Sequence, residues 1–265
     1  MVFLLLAACS AAPASPVPDP VASSVVAAVV PAWPAPASLS VLPAVPVRAR
    51  ILLDAGHGAP GNTGNTNVAG ESEAAVMRRI TDGVAQAMAA DGVAVTRTRP
   101  DAALVDYDRR LELSRGHDVL ISLHSDARTG TRQGWVDPAA GLWWTEGAAG
   151  FSVLWSDEGE AALVARRHAL AAATARSLVH AGFLPYPGED YGGLYEPDPT
   201  VPGVFVDRHA PAQRIRLLRR PTVPSIIVET HEAHDVAEVA RWEEVATWTA
   251  AARAFSVALA ETDGD

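Results

Sequence analysis

Apolar residues along this chain fall into runs of two kinds, and their order predicts alternating strands and helices. Short, mostly apolar runs span Arg50 to Asp54, Asp118 to His124, Phe151 to Trp155, Ile215 to Leu218 and Ser225 to Glu229. Runs this short, bounded by turn residues, suit strands buried on both faces. Val93 to Arg97 alternates apolar and polar positions and predicts a further strand. Helical spacing appears between these runs. Val76, Ile80, Val84 and Met88 recur at every fourth position and stripe one face of a helix from Glu71 to Ala90, which Asp91-Gly92 ends. Asp106 to Arg115 reads as a short helix, Glu158 to Ala181 as a long Ala-rich one, and Asp235 to Ala260 as the last. This alternation implies the α/β class: a single three-layer domain with a mostly parallel twisted sheet of about six strands flanked by helices.

Two stretches break the rhythm, 127–149 and 183–212, both rich in Gly, Pro and aromatics. Insertions of that length in a compact domain are usually functional or mobile, and the second is expected either to cover and gate a site or to bind its substrate. Trp135, Trp143, Trp144, Tyr191 and Tyr195 fall within them. Such rings either fold a loop back onto the domain or stack on a sugar ring or a peptide. Trp155, Trp242 and Trp248 fall on regular elements and are expected in the core.

The amino terminus has a different texture. "MVFLLLAACS" is apolar up to Cys9 and resembles a bacterial lipoprotein signal (residues 1–9), in which that cysteine is lipidated. Residues 10–47 are almost all Ala, Pro, Val and Ser, a composition that blocks helix and sheet and reads as a disordered tether. The folded domain is then 48–265. By resemblance to sorted lipoproteins, Ser10 after the cysteine implies anchoring in the outer membrane, where there is one.

Composition narrows the function. The 265 residues, 49% hydrophobic, suffice for one domain with a full core. A net charge of −10 argues against a nucleic-acid binder, which needs a basic face. All 21 basic residues are Arg, so the glycines after His57 cannot form a phosphate loop, which requires Lys. Cys9 is the single cysteine, so a metal in the domain must use His and carboxylates.

Those residue types converge on one edge. His57 follows the first strand, His124 ends "VLISLHSD", and Glu229 ends the buried run "PSIIVET". In an open α/β sheet ligands gather beyond the carboxyl ends of the strands. Glu71 and Glu73 open the first helix at that same edge, so two His and one carboxylate could hold a metal with a position left open. Glu229 is then placed as a general base. "HEAH" is a near miss to H-E-x-x-H, because His231 and His234 are three apart rather than four, and both read as rim or structural residues. His117, His168, His180 and His209 read as solvated or hydrogen-bonded.

With these residues in view, the chain resembles the zinc-dependent N-acetylmuramoyl-L-alanine amidases of bacterial cell-wall hydrolysis. Asp54-Ala55-Gly56-His57-Gly58 matches the family's D-x-G-H-G, Ile121-Ser122-Leu123-His124 its I-S-x-H, and Val228-Glu229-Thr230 its V-E-T. "VAVTRTRPD" resembles its T-R segment, and Arg110 the Arg of its R-x-x-x-A-N helix. The resemblance covers about 50–260 apart from the insertions. It implies an α/β amidase that splits the stem peptide from muramic acid, with His57, Glu73 and His124 binding Zn2+ and Glu229 catalytic. The family's ligand Glu is followed by apolar residues at +3, +7 and +11. Counting from Glu73 gives Val76, Ile80 and Val84, whereas Glu71 gives Ala74, Arg78 and Asp82. The implied location is the periplasmic face of the cell envelope, with peptidoglycan as substrate, the membrane reached through the lipid anchor, and an activator protein as a possible partner. A stem-peptide peptidase and a non-catalytic wall-binding lipoprotein are the alternatives. The chain departs from the family at Ser114-Arg115, at Asp126 and at "HEAHD" after Glu229-Thr230.

Overall fold

The computed structural model describes residues 38–262. The signal, Cys9 and most of the tether lie outside them. The elements run β1 (Ile51–Ala55), α1 (Glu73–Ala90), β2 (Val95–Arg97), α2 (Tyr107–Ser114), β3 (Val119–Asp126), β4 (Arg132–Asp137), β5 (Leu142–Glu146), β6 (Ser152–Trp155), α3 (Ala161–His180), β7 (Tyr195–Pro197), β8 (Val204–Asp207), α4 (Arg216–Arg219), β9 (Ser225–Glu232), α5 (Val236–Arg241) and α6 (Val245–Thr262).

The main sheet has seven strands in the order β2-β1-β3-β9-β6-β8-β7. β2, β1, β3 and β9 are mutually parallel; β6 runs antiparallel to β9 and parallel to β8, and β7 closes the edge antiparallel to β8. The expected α/β layering and mostly parallel sheet are therefore present, with one strand more than the apolar runs suggested.

Strand alternation sorts the layers. Ile51, Leu53, Ile121, Leu123, Ile226 and Val228 face α1, α3 and α6 in the main core. Val76, Ile80, Val84 and Met88 of α1 are buried in that core, each contributing roughly 1.5–3 kcal/mol. The intervening positions point the other way, where cover is thinner: Leu52 and Leu120 meet Leu217, and Ile227 meets Leu218. Asp54, Ser122, His124 and Glu229 share the parity of these second-face residues, so the strand ends deliver them all to one side.

The structure corrects three expectations. Ile215 to Leu218 is not a strand: α4 forms there, with Leu217 and Leu218 buried in separate clusters and Arg216 and Arg219 directed elsewhere. A four-residue apolar run carries too little periodicity to tell the two apart. The sheet position goes instead to β8, "VFVD", inside the stretch read as an insertion. Residues 183–212 therefore cannot lift off as one cover, because β7 and β8 are part of the main sheet. The last helix is broken after Arg241 into α5 and α6, where the Trp248 indole donates to the Trp242 carbonyl at 2.6 Å.

The other insertion is a two-stranded antiparallel hairpin of β4 and β5. Residues 38–47, at the end of the Pro/Ala-rich stretch, lie along the domain: Leu42 is buried in the main core, and the Ser40 N–H donates to Ala181 O at 2.9 Å.

Candidate metal centre and active site

Asp54, the penultimate residue of β1, is fully buried. Its carboxylate accepts hydroxyl bonds from Thr98 and Ser122, each at 2.5 Å, and faces the Arg110 guanidinium at 3.0 Å. Arg110 also donates to the carbonyls of Ala55, His57 and Val105. Arg99 donates to Ala55 O, Gly56 O and Ala74 O. Two arginines thus fix the backbone on either side of His57, which itself adopts a left-handed φ of 54°. A non-glycine residue holds that conformation only where its surroundings over-determine it.

The glycines of this loop make room for the site. A Cβ at Gly56 would lie 2.7 Å from Nε2 of the His124 ring. At Gly64 (φ +75°) it would collide with the Glu73 carboxylate and come within 2.8 Å of the His57 ring.

The loop brings His57, Glu73 and His124 together. His57 Nε2 lies 3.1 Å from Glu73 Oε2, and His124 Nδ1 lies 3.1 Å from Glu73 Oε1. The two imidazole rings approach edge to face with centroids 4.8 Å apart. Asn65 donates to Glu73 Oε2 through its backbone at 3.1 Å and its side chain at 2.9 Å, and the Ser125 N–H reaches Oε1 at 3.1 Å. On its far side His57 Nδ1 meets Asn62 Oδ1 at 2.7 Å, and Asn62 in turn donates to the Tyr107 hydroxyl. Of the two acids expected to open the first helix, only Glu73 lies in α1, and only Glu73 enters this cluster. Glu71 pairs with Arg79 at 3.1 Å.

Glu229 completes the group. β3 and β9 run in parallel register with His124 opposite Glu229. Both residues line a cavity of about 450 Å³ with His57, Tyr107 and Tyr195, closed on one side by residues 212–217. Asp207 shapes that wall by accepting from the backbone N–H of His209 at 3.0 Å and of Ile215 at 2.8 Å.

A buried carboxylate dominates the electrostatics of the cluster. Burial works to raise the Glu73 carboxyl, but hydrogen bonds from His124 and His57 hold it well below the usual carboxylate range. Burial works to lower both histidines, yet Glu73 raises each above its ordinary value. A buried anion is thus drawing positive charge onto its neighbours. Burial and Asp126 push Glu229 up to about 8. Among the described residues, His124 Nε2 and Glu229 Oε2 are buried without a hydrogen-bond partner. One donor atom from each of His57, Glu73 and His124 lies within 4.8 Å of the others, and this set could hold a metal ion. Two imidazoles and one carboxylate suit a divalent ion such as zinc.

His231 and His234 lie apart from these donors. His231 is buried against Trp242 and bonds the Thr230 hydroxyl at 2.8 Å. His234 bonds Glu232 at 3.0 Å and stacks on Trp143. Asn62, Asn65, Tyr107 and the 212–217 wall had no separate signal in the sequence. Asn62 and Asn65 stand in "GNTGNTN", which reads only as a turn-rich run.

The family model for N-acetylmuramoyl-L-alanine amidases matches residues 51–260. No curated protein sequence matches the chain. Among solved structures, the N-acetylmuramyl-L-alanine amidase Ami1 from Mycobacterium smegmatis superposes with a TM-score of 0.62 at 19% identity, covering 82% of this chain and 98% of that one. The amidase AmiC2 of Nostoc punctiforme gives 0.54 at 20% identity over 79% and 94%. The CwlD amidase from Clostridioides difficile, solved in complex with the GerS lipoprotein, gives 0.56 at 17% identity over 81% and 98%. At such identities the superpositions speak for the fold, while the match over 51–260 speaks for the family: this chain belongs to the N-acetylmuramoyl-L-alanine amidases.

Proposed function

We propose that the amidase reaction is carried out here by four side chains, with His57, Glu73 and His124 holding Zn2+ and Glu229 moving the proton. The observation that carries this reading is the convergence of the His-Glu-His cluster and Glu229 on one cavity at the carboxyl ends of the strands. The bond cleaved joins the lactyl carbonyl of N-acetylmuramic acid to the amino group of L-alanine in peptidoglycan.

When bound, a zinc ion supplies Lewis acidity, which makes a water nucleophilic near neutral pH and offsets the charge that develops on the scissile carbonyl. The remaining work falls to the chain. Glu229 in its ionised form takes a proton from the attacking water and returns it to the leaving nitrogen of L-alanine. Its burial keeps the carboxyl basic enough for this role. Asn62 holds His57 in the tautomer that leaves Nε2 free to ligate. Tyr107, Tyr195 and residues 212–217 enclose the bond to be cut.

A peptidoglycan substrate lies outside the cytoplasm. For the finer location we infer a lipid anchor on Cys9, with residues 10–37 as tether, placing the domain at the periplasmic face of the envelope. None of those residues is among those described. Labelling with a fatty-acid analogue tests the anchor: wild type should be labelled and Cys9→Ser should not, and an unlabelled wild type would refute it. An activator protein is a further possible partner, as CwlD was solved with a lipoprotein.

Metal analysis of the purified protein, run beside cell-wall digestion, tests the centre. Wild type should carry one zinc per chain and digest wall, and a chelator should remove both properties. Wall digestion that survives complete removal of metal would refute the reading.

A further inference from the structure

We propose that the hairpin β4–β5 carries a second substrate site, a platform for the sugar rings of the glycan strand beside the point of cleavage. The proposal deepens the amidase reading and rests on it, since that reading supplies the glycan. Trp135 and Trp143 are directly paired across the hairpin, so their side chains stand on the same face. With Gln133 and Gly134 they line an open cavity of about 400 Å³. Trp135 is 58% exposed, a large apolar side chain left in water at the middle of a strand. Together with Trp143 it gives the hairpin an aromatic lining that is open to solvent.

A lone two-stranded hairpin is only marginally stable, and this one is anchored to the domain. Trp143 stacks on His234 with centroids 3.8 Å apart and planes 17° from parallel. The Thr145 N–H donates to His234 O at 3.0 Å and its hydroxyl to Thr129 O at 2.7 Å. Arg128, buried beneath, donates to Ala148 O at 2.8 Å and to Gly150 O at 2.7 Å, which fixes the chain where it leaves the hairpin. Trp143 is therefore held against the domain while Trp135 beside it stays exposed.

The occupant follows from chemistry and position. The lining is two indoles, one neutral amide and one glycine, with no charged side chain. A stem peptide carries carboxylates and finds no cation here. A pyranose ring presents an apolar C–H face to an indole and hydroxyl or acetamido groups to an amide. Among the described residues the Gln133 side-chain amide has no hydrogen-bond partner, so it is available for such a bond. Position agrees. His234, against which the hairpin rests, lies five residues beyond Glu229 on the chain that leaves the active site. The loop from His57 to Glu73 touches the hairpin too, since a Cβ at Gly70 would lie 3.5 Å from Leu142. Both segments that meet the hairpin thus lead directly to residues of the metal centre and active site.

The test uses the full chain with metal and a linear N-acetylglucosamine–N-acetylmuramic acid glycan stripped of its stem peptides. Binding is followed by calorimetry, and hydrolysis of a single-sugar muramoyl-peptide is measured in parallel. Wild type should bind the stripped glycan, and Trp135→Ala should weaken that binding by about tenfold. Trp135→Phe should recover part of the loss, and all three should hydrolyse the short muramoyl-peptide equally. Glycan binding that Trp135→Ala leaves unchanged would overturn the proposal. So would a wild type that cuts the muramoyl-peptide but ignores the glycan, which leaves the amidase reading standing. Self-association abolished by Trp135→Ala, without glycan binding, would also overturn it and assign the face to contact between copies. Failure to cut the muramoyl-peptide, with glycan binding intact, would count against the amidase reading alone.

Discussion

His124 and Glu229 lie opposite each other on the adjacent parallel strands β3 and β9, so a sheet register sets the spacing between a metal-ligand candidate and the proposed base. Ligand and base can therefore be separated by mutation. Glu229→Gln keeps the shape and burial of the side chain but cannot accept a proton. Metal content should stay at the wild-type level while turnover falls by on the order of 10² or more. A variant retaining full turnover would remove Glu229 from the reaction.

The two acids of the "ESE" segment should behave differently. Glu73 is buried between His57 and His124, and Glu71 is bound to Arg79 at the surface. Glu73→Ala should lose metal and activity together, as should His57→Ala and His124→Ala, because a site with three protein ligands spares none. Glu71→Ala removes a half-exposed ion pair and should cost at most about 1 kcal/mol with no loss of metal. Stoichiometric zinc in Glu73→Ala would refute the assignment.

Asn62 acts on the metal only through His57, at 2.7 Å from its Nδ1. Asn62→Ala should weaken metal affinity by about 10–100-fold, the usual effect of losing such a partner. The melting temperature of the metal-free protein should hardly move, since Asn62 is only partly buried. Unchanged metal affinity would assign Asn62 to loop structure alone.

Arg110 and Asp54 form a fully buried ion pair. Removing one member strands the other, so Arg110→Met should destabilise the fold by about 3–5 kcal/mol in denaturant unfolding. A loss below about 1 kcal/mol would show that the carboxylate is satisfied by Thr98 and Ser122 without it.

Glu238 makes stability depend on pH. It is buried and accepts the backbone N–H of Glu232 at 2.8 Å and of Gly150 at 3.0 Å. Burial nevertheless outweighs these bonds and pushes the carboxyl from an ordinary 4.5 up to about 7. The folded protein thus keeps a proton that the unfolded chain releases. This contribution is complete below about pH 4.5 and is lost as the pH rises through about 7. Glu238→Gln cannot ionise, so its melting temperature should gain on wild type between those limits. A difference that does not vary with pH would contradict the account.

Much of this was legible in the sequence because the informative residues lie where pattern and chemistry coincide. His124 and Glu229 end long apolar runs, so their strand and their edge could both be read. Glu73 could be separated from Glu71 because Val76, Ile80 and Val84 mark the buried side of α1. The second tier was not legible. Asn62 and Asn65 act through loop geometry that leaves no periodicity, and the 212–217 wall is shaped by Asp207 from a distance in sequence. Val204–Asp207 was hidden in a Pro- and Gly-rich stretch, while Ile215–Leu218 offered an equally apolar run that folds as a turn of helix. Strand pairing decides between such runs, since β8 finds β6 and β7 on either side, and pairing is a property of the whole fold.

The central claim is that this site cuts the amide between muramic acid and L-alanine. Mass spectrometry of the products from purified sacculi tests it most directly, with Glu229→Gln as the control. The account predicts stem peptides with a free L-alanine amino terminus and glycan strands with intact lactyl groups, both absent from the control digest. Shortened stems still attached to muramic acid would contradict it, because the scissile bond would then lie within the peptide.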